Sequence, residues 1–316
     1  MPTAVITDST SDLPADVAAV KGIRVVPLNV HFGEETFLDG VTIKSDEFFR
    51  RMKAVVKSGG AFPKTSQPSA GAFLEAYREA AKQAGHIISV HVSSKVSGTY
   101  NSAVQAKQEM GLTPDLIRGF QGQGPKIEVI DTLQASMTLG LVVMAVADAV
   151  RGGATPEAAA DLARSLSGRA RFFGLLDTLE YLHRGGRIGR ARLYLGSLLS
   201  IKPILGLVEG VAHPVDRVRS RAKGLIRIAE IARREAPLSA LCVLYGEDRA
   251  AADNLAAGLK DLAPRPRFAS GAGPGPGPET SSGDPGVIVT QFGPVLGAYL
   301  GPEAIGVSLI KAEAKP

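Results

Sequence analysis

Three clusters of small polar residues are the chain's candidates for chemistry: Asp8-Ser9-Thr10-Ser11-Asp12, Lys64-Thr65-Ser66-Gln67-Pro68 and Ser93-Ser94-Lys95-Val96-Ser97-Gly98-Thr99. Hydroxyls at strand-to-helix turns suit an anionic head such as a carboxylate or phosphate, because helix N-termini add free N–H donors and positive potential. Helix capping calls for the same residue types, but the hydroxyls here outnumber what capping needs. Two basic stretches accompany them. One is His183-Arg184-Gly185-Gly186-Arg187-Ile188-Gly189-Arg190-Ala191-Arg192, and the other runs from Arg217 to Arg227 with Arg219, Arg221 and Lys223 between. A solvated surface accounts for such runs; a docking face for an acidic partner or a phosphorylated ligand is the functional alternative.

Several common chemistries are missing from the sequence. It has no GxxxxGK[ST] loop, no GxSxG elbow and no HExxH pair. The histidines (His31, His86, His91, His183, His213) show no metal-ligand spacing. SxxK occurs at Ser220–Lys223 and Ser308–Lys311 without a companion motif. A Ser-dependent acyl hydrolase or transferase, and a sugar-phosphate binding protein, therefore stand as the alternatives to a simple anion binder. The single cysteine, Cys242, lies in the strand-like Leu241-Cys242-Val243-Leu244. It forms no internal disulfide and is expected to be a buried, inert thiol.

The elements that must hold these clusters alternate. Ala4-Val5-Ile6 predicts a strand, Val25 to His31 a second extended run, and Ser45 to about Lys57 a helix with Phe48, Met52 and Val55 on one face. Pro68 opens another helix, His86 to Val92 is a strand, and a helix follows the Ser93–Thr99 turn. Lys126 to Ile130, Gln134 to Val150 and Pro156 to about Leu166 read as strand, helix, helix. This order predicts an α/β fold whose N-terminal part, residues 1–165, is a mostly parallel sheet with helices on both faces. The remainder, 166–316, predicts a mixed α+β domain. Its hairpin turns at Glu209-Gly210, and it carries strands near Ala240 to Tyr245, Val287 to Thr290 and Ala304 to Leu309. Residues 270–286, rich in Gly and Pro, are expected to form a flexible loop.

Composition bounds the partners. In 316 residues, 45% are hydrophobic and 21% charged, close to the globular average. A formal charge of +5 with 5% aromatics and no Trp does not announce a nucleic-acid binder. The longest apolar run, Leu139 to Ala147, falls well short of the ~20 residues a bilayer span requires. With no secretory-type start, the expected location is the cytoplasm.

Six segments in order resemble the DegV family of fatty-acid-binding proteins. They are Thr7-Asp8-Ser9-Thr10-Ser11-Asp12-Leu13, Thr65-Ser66-Gln67-Pro68, Ser93 to Ser102, Leu179 to Ile188, Lys202-Pro203-Ile204-Leu205 and Phe292 to Ala298. The resemblance implies a two-domain, DegV-like protein with no catalysis and no cofactor of its own. It would hold one long-chain fatty acid, such as palmitate, between its domains and present the carboxylate to a separate fatty-acid kinase. By resemblance, Thr65 and Ser97 grip the carboxylate, with Ser66, Gly98, Thr99 and Tyr299 beside them, and the C-terminal domain covers the acyl chain. Arg184, Arg187 and Arg219 are assigned to the partner-facing surface. No nucleic acid and no integral membrane segment is implied, which leaves room for transient membrane contact. This sequence departs from the family in two places: Tyr299 stands where the family has His, and Glu303 where it has Gly. A phenol donates to a carboxylate but is uncharged near neutral pH.

Overall fold

The structure, a computed structural model, describes residues 2–111, 125–194, 201–263 and 286–313. The first seven strands are β1 (Thr3–Asp8), β2 (Ile23–Val26), β3 (Asn29–Phe32), β4 (Glu35–Leu38), β5 (Lys64–Ser66), β6 (His86–His91) and β7 (Lys126–Asp131). After them come β8 (Ala170–Leu175), β9 (Lys202–Val208), β10 (Val211–Val218), β11 (Leu238–Tyr245), β12 (Ile288–Gln291) and β13 (Ile305–Lys311).

The first sheet has the order β2-β1-β6-β7, and every pair in it is parallel. Alternation along its strands sends side chains to two separate apolar layers. Ile6, Ile87 and Ile127 pack with Phe73, Tyr77 and Ala103 of the helices Ala70–Ala81 and Thr99–Gly111. Val5, Ile88 and Val90 pack on the other side with Val142 and Val146 of the helix Met137–Arg151. The expected parallel sheet with helices on both faces is thus what the sequence forms. Helix Pro156–Arg169 contacts β6, β7 and β13, and the expected division after residue 165 falls within it.

The second sheet has the order β10-β9-β8-β13-β11-β12, antiparallel except for the β11–β12 pair. Glu209 and Gly210 both have positive φ, at 52° and 80°, the geometry of a tight hairpin turn between β9 and β10. Helices Arg221–Arg234 and Arg249–Gly258 cover one face, through Ile228, Ile231 and Leu255. The other face meets helix Met137–Arg151, which contacts β1 and β6 on one side and β8, β11 and β13 on the other. This position between two sheets explains the run Leu139 to Ala147. A helix buried all round must be apolar all round, and Leu139, Val142, Val143 and Val146 are fully buried. No helix among the described residues is long and apolar enough to cross a membrane.

A third sheet, β4-β3-β5, is antiparallel and was not expected. Val25 to His31 is not one run. Pro27, which lacks an N–H to continue the ladder, separates β2 of the parallel sheet from β3 of the small one. Lys64 to Ser66, expected as a turn before a helix, is strand β5; the helix begins at Ala70, capped by Ser69. Helix Ser45–Lys57 packs on helix Pro294–Leu300, where a Cβ on Gly297 would lie 2.8 Å from the Phe49 ring and 2.9 Å from that of Phe48. Of the Gly/Pro-rich stretch 270–286, residues 270–285 lie outside the described residues.

Candidate functional site

Three loops leave the carboxyl ends of parallel strands: Ser9–Ser11 after β1, Ser93–Ser97 after β6 and Thr132–Ser136 after β7. Ligands of open parallel sheets sit outside that edge. Thr10, Ser97 and Ser136 from these loops line one cleft. Its opposite wall comes from the second sheet and the last helix, with Phe172, Leu205, Leu207, Val295, Leu296 and Tyr299. About 860 Å³ of atom-free space lies within the cleft, part of it open to solvent.

The polar end gathers residues from four distant segments. The Thr65 hydroxyl on β5 hydrogen-bonds the Tyr299 phenol on helix Pro294–Leu300. The Arg187 guanidinium lies over the Tyr299 ring, 5.2 Å from its centroid. Arg187 is held by two carbonyls, donating from Nε to Val96 at 3.1 Å and from Nη1 to Gly185 at 2.8 Å. Gly185 has to be glycine for this packing, because a Cβ there would sit 2.5 Å from two Tyr299 ring carbons. Ser97 Oγ pairs with Thr99 Oγ1 at 2.8 Å and accepts from the Thr99 N–H at 3.3 Å. Thr65, Ser66, Ser97, Tyr299 and Arg187 thus share one cleft.

Three expected placements change. Thr99 is fully buried as the first residue of its helix and touches the site only through Ser97. Gly98 lies under the Gln67 side chain, 3.0 Å from where its Cβ would be, and faces a neighbouring groove rather than the cleft. Arg187, expected on a partner-facing surface, stands in the cleft wall because the carbonyls of Val96 and Gly185 draw its head inward. Arg184 and Arg219 are exposed and outside the cleft, with Arg184 paired to Glu180 at 2.8 Å and 4.3 Å above the Phe62 ring centroid.

Behind the hydroxyls lie carboxylates the sequence reading had not separated from them. Asp8 accepts from Thr10 N at 3.1 Å, Val92 N at 3.1 Å and His91 Nδ1 at 2.9 Å, as well as from the Thr10 hydroxyl. Asp12 accepts from Ser136 Oγ at 2.6 Å and from Gly293 N at 2.9 Å, which ties the first turn to the start of the last helix. Burial pushes the Asp12 carboxyl up to about 8, against the opposing bonds from Ser136 and Gly293, and Asp39 and Asp8 add to the rise. Burial likewise raises Asp39 to about 7, against bonds from Ser9 and Val295. Two of the five residues in Asp8–Asp12 are therefore structural acids, a distinction invisible without the partners at Ser136 and Gly293.

A Ser-His-Asp constellation is present but entombed. His91 Nε2 meets Ser89 Oγ at 2.6 Å while Nδ1 meets Asp8. All three side chains are fully buried, and Tyr77 OH occupies Ser89 Oγ at 2.9 Å. No acyl group can reach Ser89, so the constellation is a buried polar network satisfied from within. The SxxK serines have structural partners: Ser220 caps helix Arg221–Arg234, and Ser308 accepts from Thr138 Oγ1 at 2.9 Å. Cys242 is fully buried, and burial pushes its thiol up, away from the reactive thiolate. Among the described residues no cluster of His, Cys, Asp and Glu could hold a metal ion.

Comparison with known proteins agrees with this architecture. A sequence model of the family described as "Uncharacterised protein, DegV family" matches residues 2–275. A DegV domain-containing protein of Halalkalibacterium halodurans is 33% identical over 309 residues, covering 96% of this chain and 97% of its own. A solved structure from Thermus thermophilus, described as fatty acid binding of a DegV family protein, is 33% identical with a TM-score of 0.81. It covers 99% of this chain and 100% of its own. A stearic-acid-binding protein from Eubacterium ventriosum is 26% identical with a TM-score of 0.79, covering 98% of each chain. The parallel sheet, the mixed sheet and the order of motifs through both place this chain in the DegV family.

Proposed function

We propose that this protein binds one long-chain fatty acid, with its carboxylate at Thr65, Ser66, Ser97, Tyr299 and Arg187 and its alkyl chain in the apolar cleft. The observation that carries this reading is the pairing of a hydroxyl and guanidinium cluster with an apolar slot between two sheets. Relatives of the same fold described as binding fatty acids, one of them stearic acid, support it. The energetics agree. Burying ~14 methylenes at ~0.8 kcal/mol each gains roughly 11 kcal/mol gross, and most of this offsets what the acid would gain in a membrane. Desolvating the carboxylate costs several kcal/mol unless donors replace water, and the four hydroxyls with Arg187 supply charge-assisted ones. The absent cationic His is offset in this chain by Arg187.

The chain acts as a carrier without chemistry of its own, presenting the carboxylate in the cytoplasm to a fatty-acid kinase that docks on the exposed Arg184 and Arg219. Residues up to about 165 supply the head-group turns, and those beyond it add Arg187 and Tyr299 and cover the acyl chain. Titration with palmitic or stearic acid tests the site. Thr65→Ala with Ser97→Ala is expected to weaken binding tenfold or more, given about 1.5–3 kcal/mol for a hydrogen bond to a charged group. Unchanged affinity would contradict the assignment. Arg219→Glu is expected to reduce acyl-phosphate formation with a kinase while leaving acid binding intact; loss of neither would remove the docking assignment.

A further inference from the structure

Helix Met137–Arg151 starts without the cap its sequence provides. Ser136 holds the N-cap position, yet its hydroxyl makes no bond to the helix. Its backbone sits at φ 58° and ψ −158°, a region almost confined to glycine. Glycine would occupy it without strain. Serine is held there with Oγ turned to Asp12 Oδ2 at 2.6 Å. Thr10 behaves alike, giving its hydroxyl proton to Asp8 Oδ1. Both residues line the cleft, whose walls include Leu28, Ala135 and Val295. Neither hydrogen-bonds the Thr65, Ser97, Tyr299 and Arg187 cluster.

We propose that Thr10 and Ser136 form a second polar subsite in the cleft, one that receives a hydroxyl group carried on the acyl chain, so that the protein takes hydroxylated long-chain acids. The proposal rests on the fatty-acid reading above. The chemistry selects an alcohol. With its proton committed to Asp8, Thr10 can only accept. Ser136 likewise gives its proton to Asp12 Oδ2, so it too offers only lone pairs. An alcohol can donate to such acceptors. A ketone only accepts and meets neither residue, nor does a methylene.

Affinities for stearic acid and for hydroxystearic acids with the hydroxyl at successive positions test this. In a purely apolar slot every such hydroxyl weakens binding, because it is desolvated without a partner. Here at least one positional isomer is expected to bind about two- to tenfold more tightly than stearic acid, the range of one net hydrogen bond. Ser136→Gly, which suits the backbone and removes the hydroxyl, combined with Thr10→Val, which keeps the side-chain shape, should erase that ratio. The proposal is overturned if every isomer binds the unaltered protein more weakly than stearic acid, or if the ratio survives both substitutions. If neither stearic acid nor any isomer binds the folded protein, the fatty-acid reading fails, and the subsite falls with it.

Discussion

Replacing Asp12 with asparagine is expected to flatten the dependence of stability on pH. The Asp12 carboxyl lies fully buried between the first turn and the last helix, and burial raises it from 3.8 to about 8. Between those values the folded chain keeps a proton that the unfolded chain releases. The acid's contribution to stability is therefore fully present below 3.8, falls as pH rises through the window, and is lost above about 8. One such group changes stability by about 1.4 kcal/mol per pH unit, so Asp12 alone removes about 2–3 kcal/mol between about pH 5 and about pH 7. Asp39, raised to about 7, adds a similar slope over most of that range. Asp12→Asn mimics the neutral carboxyl: Oδ1 accepts from Gly293 N, and Nδ2 donates to Ser136 Oγ. Urea unfolding at both pH values measures the effect. The drop in the unaltered protein should exceed that in the variant by about 2–3 kcal/mol. Equal drops would refute the claim that this carboxyl is held neutral in the fold.

Further outcomes follow from the same geometry. Gly185→Ala places a Cβ 2.5 Å from the Tyr299 ring; it should cost about 1–3 kcal/mol of stability from overpacking and weaken fatty-acid binding, as read by thermal unfolding and titration. Tyr299→Phe removes the bond to Thr65 and one head-group donor, and should lower affinity for stearic acid about two- to tenfold with a stability change under about 1.5 kcal/mol. Ser89→Ala breaks a buried network; it should cost about 1–3 kcal/mol in unfolding experiments and leave acid binding intact. A fluorophosphonate probe should label neither the unaltered chain nor this variant.

Much of the fold was legible because its signals are periodic. β1, β6 and β7 are short apolar runs followed by helices, and Glu209-Gly210 announces its hairpin through a glycine that tolerates positive φ. The small sheet was missed for physical reasons. β5 has only three residues, and its pattern of exposed Lys64 and half-buried Thr65 and Ser66 carries no apolar alternation. β4 is nearly all exposed, so burial leaves no mark on its sequence.

The site was partly legible for a similar reason. Thr65 and Ser97 stand in recognisable motifs, Tyr299 directly follows one, and the fold brings all three to one cleft. Arg187 lies in the Leu179–Ile188 motif, but its charge pointed to the surface. Its inward position depends on carbonyls of Val96 and Gly185, and backbone acceptors leave no trace in residue types. Ser136 gave no signal at all, because what singles it out is a backbone angle and a partner 124 residues away.

Native mass spectrometry of the freshly purified protein bears most directly on the central claim, that the cleft holds a fatty acid by its carboxylate. The account predicts one long-chain acid per chain, retained at gentle ionisation and lost when Thr65 and Ser97 are both replaced by alanine. A folded protein that carries no acid and takes up none when palmitic or stearic acid is added would contradict it.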